Sequence, residues 1–267
     1  GIGIINFAYW MAKNHLSYQD ITPEGLELID EYAEAWSYYL IKASADLAAE
    51  QGAPSGNMET KYGHGITPNQ TYAKAVDELV PHVERQDWKG LREQLKATGI
   101  RNSTLMALMP SETSAQIANA TNGIEPPRSL ISVKQSKHGV LKQVVPEFKR
   151  LKNMYDLLWE QRSPEGYIKI VSVLQKYIDQ GISVNTSYNP TFYDEEKIPM
   201  SVMLQHMLMF YKYGGKQLYY FNTFDGQGEL DVNKMFESED KDATNGSAVE
   251  VNGYAHTDDE ACESCTI

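Results

Sequence analysis

Apolar residues recur at spacings of three and four across residues 24–51, where Leu26, Ile29, Ala33, Trp36, Leu40, Ala43 and Leu47 share one face and Gly52 follows as a stop. The pattern predicts one long amphipathic helix. At 104 the period changes. Thr104-Leu-Met-Ala-Leu-Met109 is a short apolar run closed by Pro110, and Ser111, Glu112, Thr113 and Ser114 lead into Ala115-Gln-Ile-Ala-Asn-Ala120, which predicts strand, loop, helix. The runs 130–133 and 140–145 around Gly139 predict a hairpin. A helix over 166–179 precedes a strand-like stretch at 182–186, and a helix over 199–212 precedes another at 217–221. Met200, Met203 and Met207 keep helical spacing and read as core. Strands separated by helical segments imply an α/β fold with a mainly parallel sheet or barrel.

Charge divides the 267 residues into two parts. The 24 Lys and Arg against 36 Asp and Glu leave a net charge of −12. Residues 225–267 hold twelve of the acidic residues and two lysines, so this stretch carries −10 of that charge. It is poor in apolar residues, whereas residues 1–224 contain all four Trp. We therefore expect a folded body over 1–224 and a disordered acidic tail over 225–267. An acidic chain of this kind is a poor collector of phosphate backbones, which argues against nucleic acid as a partner. No apolar run approaches the roughly 20 residues that a membrane helix needs, and the first residues lack a signal-peptide pattern, so the expectation is a cytoplasmic protein away from membranes.

Three short segments carry candidate chemistry. In Pro110-Ser-Glu-Thr-Ser114, hydroxyls and free backbone N–H groups stand where a helix begins, a setting that binds phosphate and equally one that Ser or Thr simply caps. Tyr219-Tyr220 lies in a strand, where neighbours normally face opposite sides, so two tyrosines acting together require irregular backbone. Without it, one ring is core and the other surface. The only cysteines, Cys262 and Cys265, have the spacing of a redox dithiol and also of half a zinc site, whose remaining ligands are missing. We expect redox exchange and no metal bound by this chain. Gly1-Ile-Gly3 has Asn6 where a dinucleotide fingerprint needs a third glycine, and His15, His64, His82, His138 and His206 show no ligand spacing.

Taken together, Leu-Met-Ala-Leu-Met-Pro-Ser-Glu-Thr-Ser-Ala-Gln-Ile-Ala-Asn-Ala-Thr-Asn-Gly-Ile-Glu-Pro-Pro-Arg over 105–128, Leu218-Tyr-Tyr-Phe-Asn-Thr223 and Cys262-Glu-Ser-Cys265 resemble the C-terminal part of the large subunit of class I ribonucleoside-diphosphate reductase. The resemblance implies the second half of a ten-stranded α/β barrel with surrounding helices. It implies reduction of ribonucleoside diphosphates to deoxyribonucleoside diphosphates by radical chemistry. On this reading Pro110, Ser111, Glu112, Thr113 and Ser114 hold the substrate's diphosphate, and Tyr219 and Tyr220 pass an oxidising equivalent toward a catalytic cysteine. Cys262 and Cys265 carry reducing equivalents from thioredoxin or glutaredoxin. Relatives often place four residues between those cysteines; this chain has two, a spacing suited to closing a disulfide.

In the family, the thiyl-radical cysteine and the cysteine pair that reduces substrate lie upstream of the segment matched here. The implied partners are therefore an N-terminal large-subunit chain that completes the barrel, a metal-containing radical-generating small subunit, and thioredoxin or glutaredoxin. An initiator Met ahead of Gly1 would be removed readily, so we expect a large subunit split between two chains, inactive as this fragment alone. The competing reading is a fragment that binds the small subunit or thioredoxin without catalysis.

Overall fold

The computed structural model describes residues 1–136 and 139–226. Seven helices and four strands follow one another along that part of the chain. The helices are α1 (Phe7–Lys13), α2 (Pro23–Gln51), α3 (Trp88–Thr98), α4 (Glu112–Ile117), α5 (Phe148–Leu151), α6 (Glu165–Gln175) and α7 (Met200–Lys212). The strands are β1 (Ile131–Ser136), β2 (Gly139–Val144), β3 (Ser183–Tyr188) and β4 (Gln217–Thr223). The acidic stretch 227–267, with Cys262 and Cys265, lies outside the described residues, as does His138. No helix among the described residues is long and apolar enough to cross a membrane.

A parallel layer grows in chain order. Ile2 bridges Met106, Leu108 bridges Ile182, and β3 pairs with β4, all in parallel. This bears out the α/β expectation with four strand positions, of which 105–109 is less regular than predicted. The cause is local: the Asp179 carboxylate accepts the N–H groups of Leu105 (2.7 Å) and Met106 (3.0 Å), so two donors of that run leave the ladder. The hairpin forms separately, with β1 antiparallel to β2 from Ile131 opposite Val144 to Ser136 opposite Gly139. Neither ten strands nor a closed barrel is present among the described residues.

The core gathers on one side of the parallel layer. Along α6, Ile168, Ile170, Val171, Val173 and Leu174 are all fully buried, which marks a helix enclosed on every side. It packs against α2 and α7, and Val184 of β3 joins the same core. On β3 the buried residues alternate as Val184, Thr186 and Tyr188, leaving Ser183, Asn185 and Ser187 on the other face. A parallel strand covered on both faces reads as a continuous apolar run. This polar face therefore marks where the layer opens to a cavity.

The long helix forms as predicted. Thr22 caps it by accepting the Gly25 N–H at 3.1 Å, Pro23 occupies its first position, and Gly52 ends it at a φ of 82° that favours glycine. Its buried face differs from the predicted stripe, however. Leu26, Ile29 and Ala33 are buried, but beyond them Ser37, Ile41, Ser44, Ala45 and Ala48 go inside while Leu47 is exposed.

Polar residues turn that face. Fully buried Asp30 accepts hydrogen bonds from Lys176 Nζ (2.7 Å), Tyr177 OH (3.1 Å) and Arg85 Nη1 (2.9 Å). One turn on, Glu34 accepts from Arg85 Nη1 (3.0 Å) and Trp88 Nε1 (2.9 Å), and the Ser37 hydroxyl donates to the Tyr177 carbonyl. Burial, reinforced by Asp30, pushes the Tyr177 phenol up. Removing one member of a buried ion pair strands the other, at about 3–5 kcal/mol. Asp30→Ala is accordingly expected to lower unfolding stability by about that amount, with Asp30→Asn milder, measured as a lower denaturant midpoint at unchanged slope.

α7 also departs from expectation. His206 and Phe210, one turn apart, are its buried residues, whereas Met200 is 75% exposed and Met207 42%. The spacing of the methionines was helical, but Met200 and Met207 are exposed and Met203 is only half-buried. Their helix lays only a narrow stripe on the body, and that stripe holds His206 between Ser163 Oγ and Tyr188 OH, each at 3.2 Å. Burial lowers the imidazole pKa, so it stays neutral at pH 7.

Candidate functional site

A cavity of about 640 Å³ opens beside the polar face of β3. Its wall includes Pro110, the segment carrying Asn122, Glu125 and Arg128, Gln143 of the hairpin, Ser183 and Asn185 of β3, and Tyr219, Tyr220 and Asn222 of β4. Pro110 and the tyrosine pair, distant in the chain, thus meet at one wall, whose lining does not include Ser111, Thr113 or Ser114. Gln143 Nε2 donates to the Ala120 carbonyl at 2.7 Å, which ties the hairpin to the wall.

Ser111 does not cap α4. Its N–H donates to Asn122 Oδ1 at 2.8 Å, and its hydroxyl accepts the Gly123 N–H at 3.0 Å. These bonds fasten the loop to the Asn122-Gly123 turn, and no side-chain cap is formed at the start of the helix. The helix begins at Glu112, three residues before the predicted Ala115, so Thr113 and Ser114 occupy its first turn and both are exposed. The Ser114 hydroxyl donates to the Ser111 carbonyl at 3.1 Å. Capping by side chain, the simpler of the two readings of this motif, is therefore not what the serine does. The first N–H groups of any helix lack an internal partner, and the Ser111 side chain does not meet them here.

The tyrosine doublet sits on irregular backbone. Val184 pairs with Leu218 and Thr186 with Phe221, so β4 has two residues, Tyr219 and Tyr220, where β3 has only Asn185. This is a β-bulge, and bulges re-aim side chains. Both tyrosines line the cavity, 47% and 56% exposed, with ring centroids 4.3 Å apart at 59°. The alternative of one core and one surface ring is thereby overturned. Next to them, Phe221, itself 41% exposed, stacks on buried Tyr188 at 6.5 Å and 2°. Burial pushes the Tyr188 phenol up to about 12, so it remains protonated at neutral pH.

The cavity wall also includes polar residues that the sequence reading passed over. Asn185 Oδ1 accepts the Tyr220 N–H at 3.1 Å, and Asn185 Nδ2 donates to Glu125 Oε1 at 2.7 Å. Asn222 Nδ2 donates to Ser187 Oγ at 3.4 Å. The available signal was the alternation Ser183-Val184-Asn185-Thr186-Ser187-Tyr188, whose odd positions are all polar in a segment that otherwise reads as a buried strand. Asn122-Gly123 was a second signal, a turn dipeptide.

Comparisons with known proteins bear on the same residues. A family model described as "Ribonucleotide reductase, barrel domain" matches residues 1–221. The chain is 53% identical over 226 residues to "Ribonucleoside-diphosphate reductase 1 subunit alpha" of Salmonella typhimurium, which covers 85% of this chain and 29% of that protein. It is 51% identical over 226 residues to the subunit of the same description from Escherichia coli, with the same coverage. It is 42% identical over 233 residues to "Ribonucleoside-diphosphate reductase subunit alpha" of Enterobacteria phage T4, covering 86% of this chain and 30% of the relative. The chain thus spans under a third of the length of these curated relatives.

Proposed function

The chain belongs to the ribonucleotide reductase barrel-domain family, and from that premise we propose that it is the C-terminal part of a reductase large subunit, acting on ribonucleoside diphosphates in the cytoplasm. The observation that carries the reading is the bulge at Tyr219-Tyr220, which turns two adjacent phenols into one cavity wall. Tyrosine suits radical relay because electron and proton leave together and no charge is stranded in the wall. Tyr219 and Tyr220 then pass the oxidising equivalent, one phenol at a time, from a separate small subunit toward a cysteine on the remainder of the large subunit. That remainder also completes the ten-stranded barrel, since β4 is an open edge among the described residues.

Pro110, Ser111, Glu112, Thr113 and Ser114 are proposed to take the diphosphate. Their support is a loop pinned by Asn122 and Gly123 beside the cavity, at a helix start without a side-chain cap. Cys262 and Cys265 are proposed to exchange electrons with thioredoxin or glutaredoxin. The supporting feature is the separation of the two cysteines by two residues, a spacing suited to closing a disulfide.

Thr113→Ala separates ligand binding from local structure. Loss of a charge-assisted hydrogen bond costs about 1.5–3 kcal/mol, roughly 10–150-fold in affinity. Loss of a helix-end contact costs about 1 kcal/mol of stability. We expect weaker diphosphate binding by the assembled enzyme at unchanged melting temperature. A lower melting temperature with unchanged affinity would return the threonine to a structural role.

A further inference from the structure

A bulge needs something to hold it. Where β4 carries two residues against one on β3, an N–H of the extra residue loses its ladder acceptor, and a backbone donor left unpaired is costly. The Tyr220 N–H is received at 3.1 Å by the side chain of the residue opposite the bulge, Asn185. Asn185 in turn donates through Nδ2 to Glu125 Oε1 at 2.7 Å.

The chemistry of the three groups fixes the amide's orientation. A backbone N–H only donates and a carboxylate only accepts, so the carboxamide must turn its oxygen to Tyr220 and its nitrogen to Glu125. The carboxylate itself is held on stiff backbone, because Pro126 and Pro127 follow it and the Pro127 carbonyl accepts the Leu158 N–H at 2.9 Å. Without the bulge, successive residues of β4 would alternate, and one of the two rings would turn to the helix-packed side of the sheet.

We infer that Asn185, oriented by Glu125, is the positioning residue that fixes the bulge and with it the mutual geometry of Tyr219 and Tyr220 on the cavity wall. The inference rests on the reading of those tyrosines as the radical-relay pair. It adds to that reading a device on neighbouring elements that holds the backbone of the pair. Relay between two rings depends on their separation and facing, so a residue that holds the backbone between them controls turnover.

The test reverses the polarity of the hydrogen bonds. Asn185→Asp places a second carboxylate against Glu125 and removes the donor between them. Asn185→Asp combined with Glu125→Gln restores one donor and one acceptor in the opposite order while still offering an acceptor to Tyr220. In the assembled enzyme, the single substitution is expected to lower kcat about tenfold or more at unchanged KM for diphosphate, and the double substitution to bring it back to within about threefold of wild type. In parallel, amide hydrogen exchange at Tyr220 is followed in the full chain, where Asn185→Ala is expected to speed it about fivefold or more.

Tyr220 exchange that does not respond to Asn185→Ala overturns the inference, as does a single variant that loses turnover and is not rescued by the second substitution. If exchange responds as expected while both variants turn over like wild type, the positioning role stands and the relay reading of the tyrosines falls. The two failures are therefore distinguishable.

Discussion

Replacing either Tyr219 or Tyr220 with Phe is expected to cut turnover of the assembled enzyme by on the order of a thousandfold or more, a barrier increase of about 4 kcal/mol. The substitution removes a phenolic O–H and almost no volume. Both rings are about half exposed, so the change in stability should stay within about 0.5 kcal/mol. Neither phenol is needed to hold the loop at Ser111, whose bonds run to Asn122 and Gly123. Substrate affinity should therefore persist while kcat collapses, the pattern of an interaction used only in the chemical step. Steady-state kinetics beside a thermal melt separate the outcomes. Near-normal kcat in both variants would contradict a relay through the pair, and a lowered melting temperature in step with lost activity would assign the rings to packing.

Helices were the most legible part of the fold. α2 and α7 have nearly the predicted bounds because a 3.6-residue period sustained over many residues is a redundant signal. Which side of each helix is buried was much less legible. In α2 the buried face turns onto Asp30, Glu34 and Ser37, whose partners Lys176, Arg85 and Tyr177 lie roughly fifty to one hundred and fifty residues away in sequence. In α7 the methionines follow the right period, yet Met200 and Met207 are exposed and Met203 only half-buried. Apolar character shows a preference for burial but cannot show where a long-range ion pair reverses it.

For the site, residue types were legible and their joint geometry was not. The Tyr219-Tyr220 doublet stood out, together with the requirement for irregular backbone, but the extra residue becomes visible only when β3 is set beside β4. The Ser111 motif left capping and ligand binding open, and the choice depended on Asn122 and Gly123, eleven and twelve residues on. Asn185 carried no motif, and Glu125 stood only as one residue of the 105–128 run. Their role comes from a meeting sixty residues apart in sequence.

The second large effect expected is dependence on the rest of the subunit, and three observations support that expectation. The chain spans under a third of its curated relatives. Its only cysteines are Cys262 and Cys265, neither within the segment that builds the cavity. The parallel layer among the described residues ends on an open strand, β4, which displays the tyrosine pair at its edge. Unpaired strand edges are sites for pairing with further chain. The most direct measurement is reduction of a ribonucleoside diphosphate by this chain alone, then by this chain mixed with the remainder of the large subunit, the small subunit and thioredoxin. The account predicts no product from the chain alone and turnover from the complete mixture, lost again with Tyr219→Phe; turnover by the isolated chain, or a complete mixture that stays inactive, would contradict it.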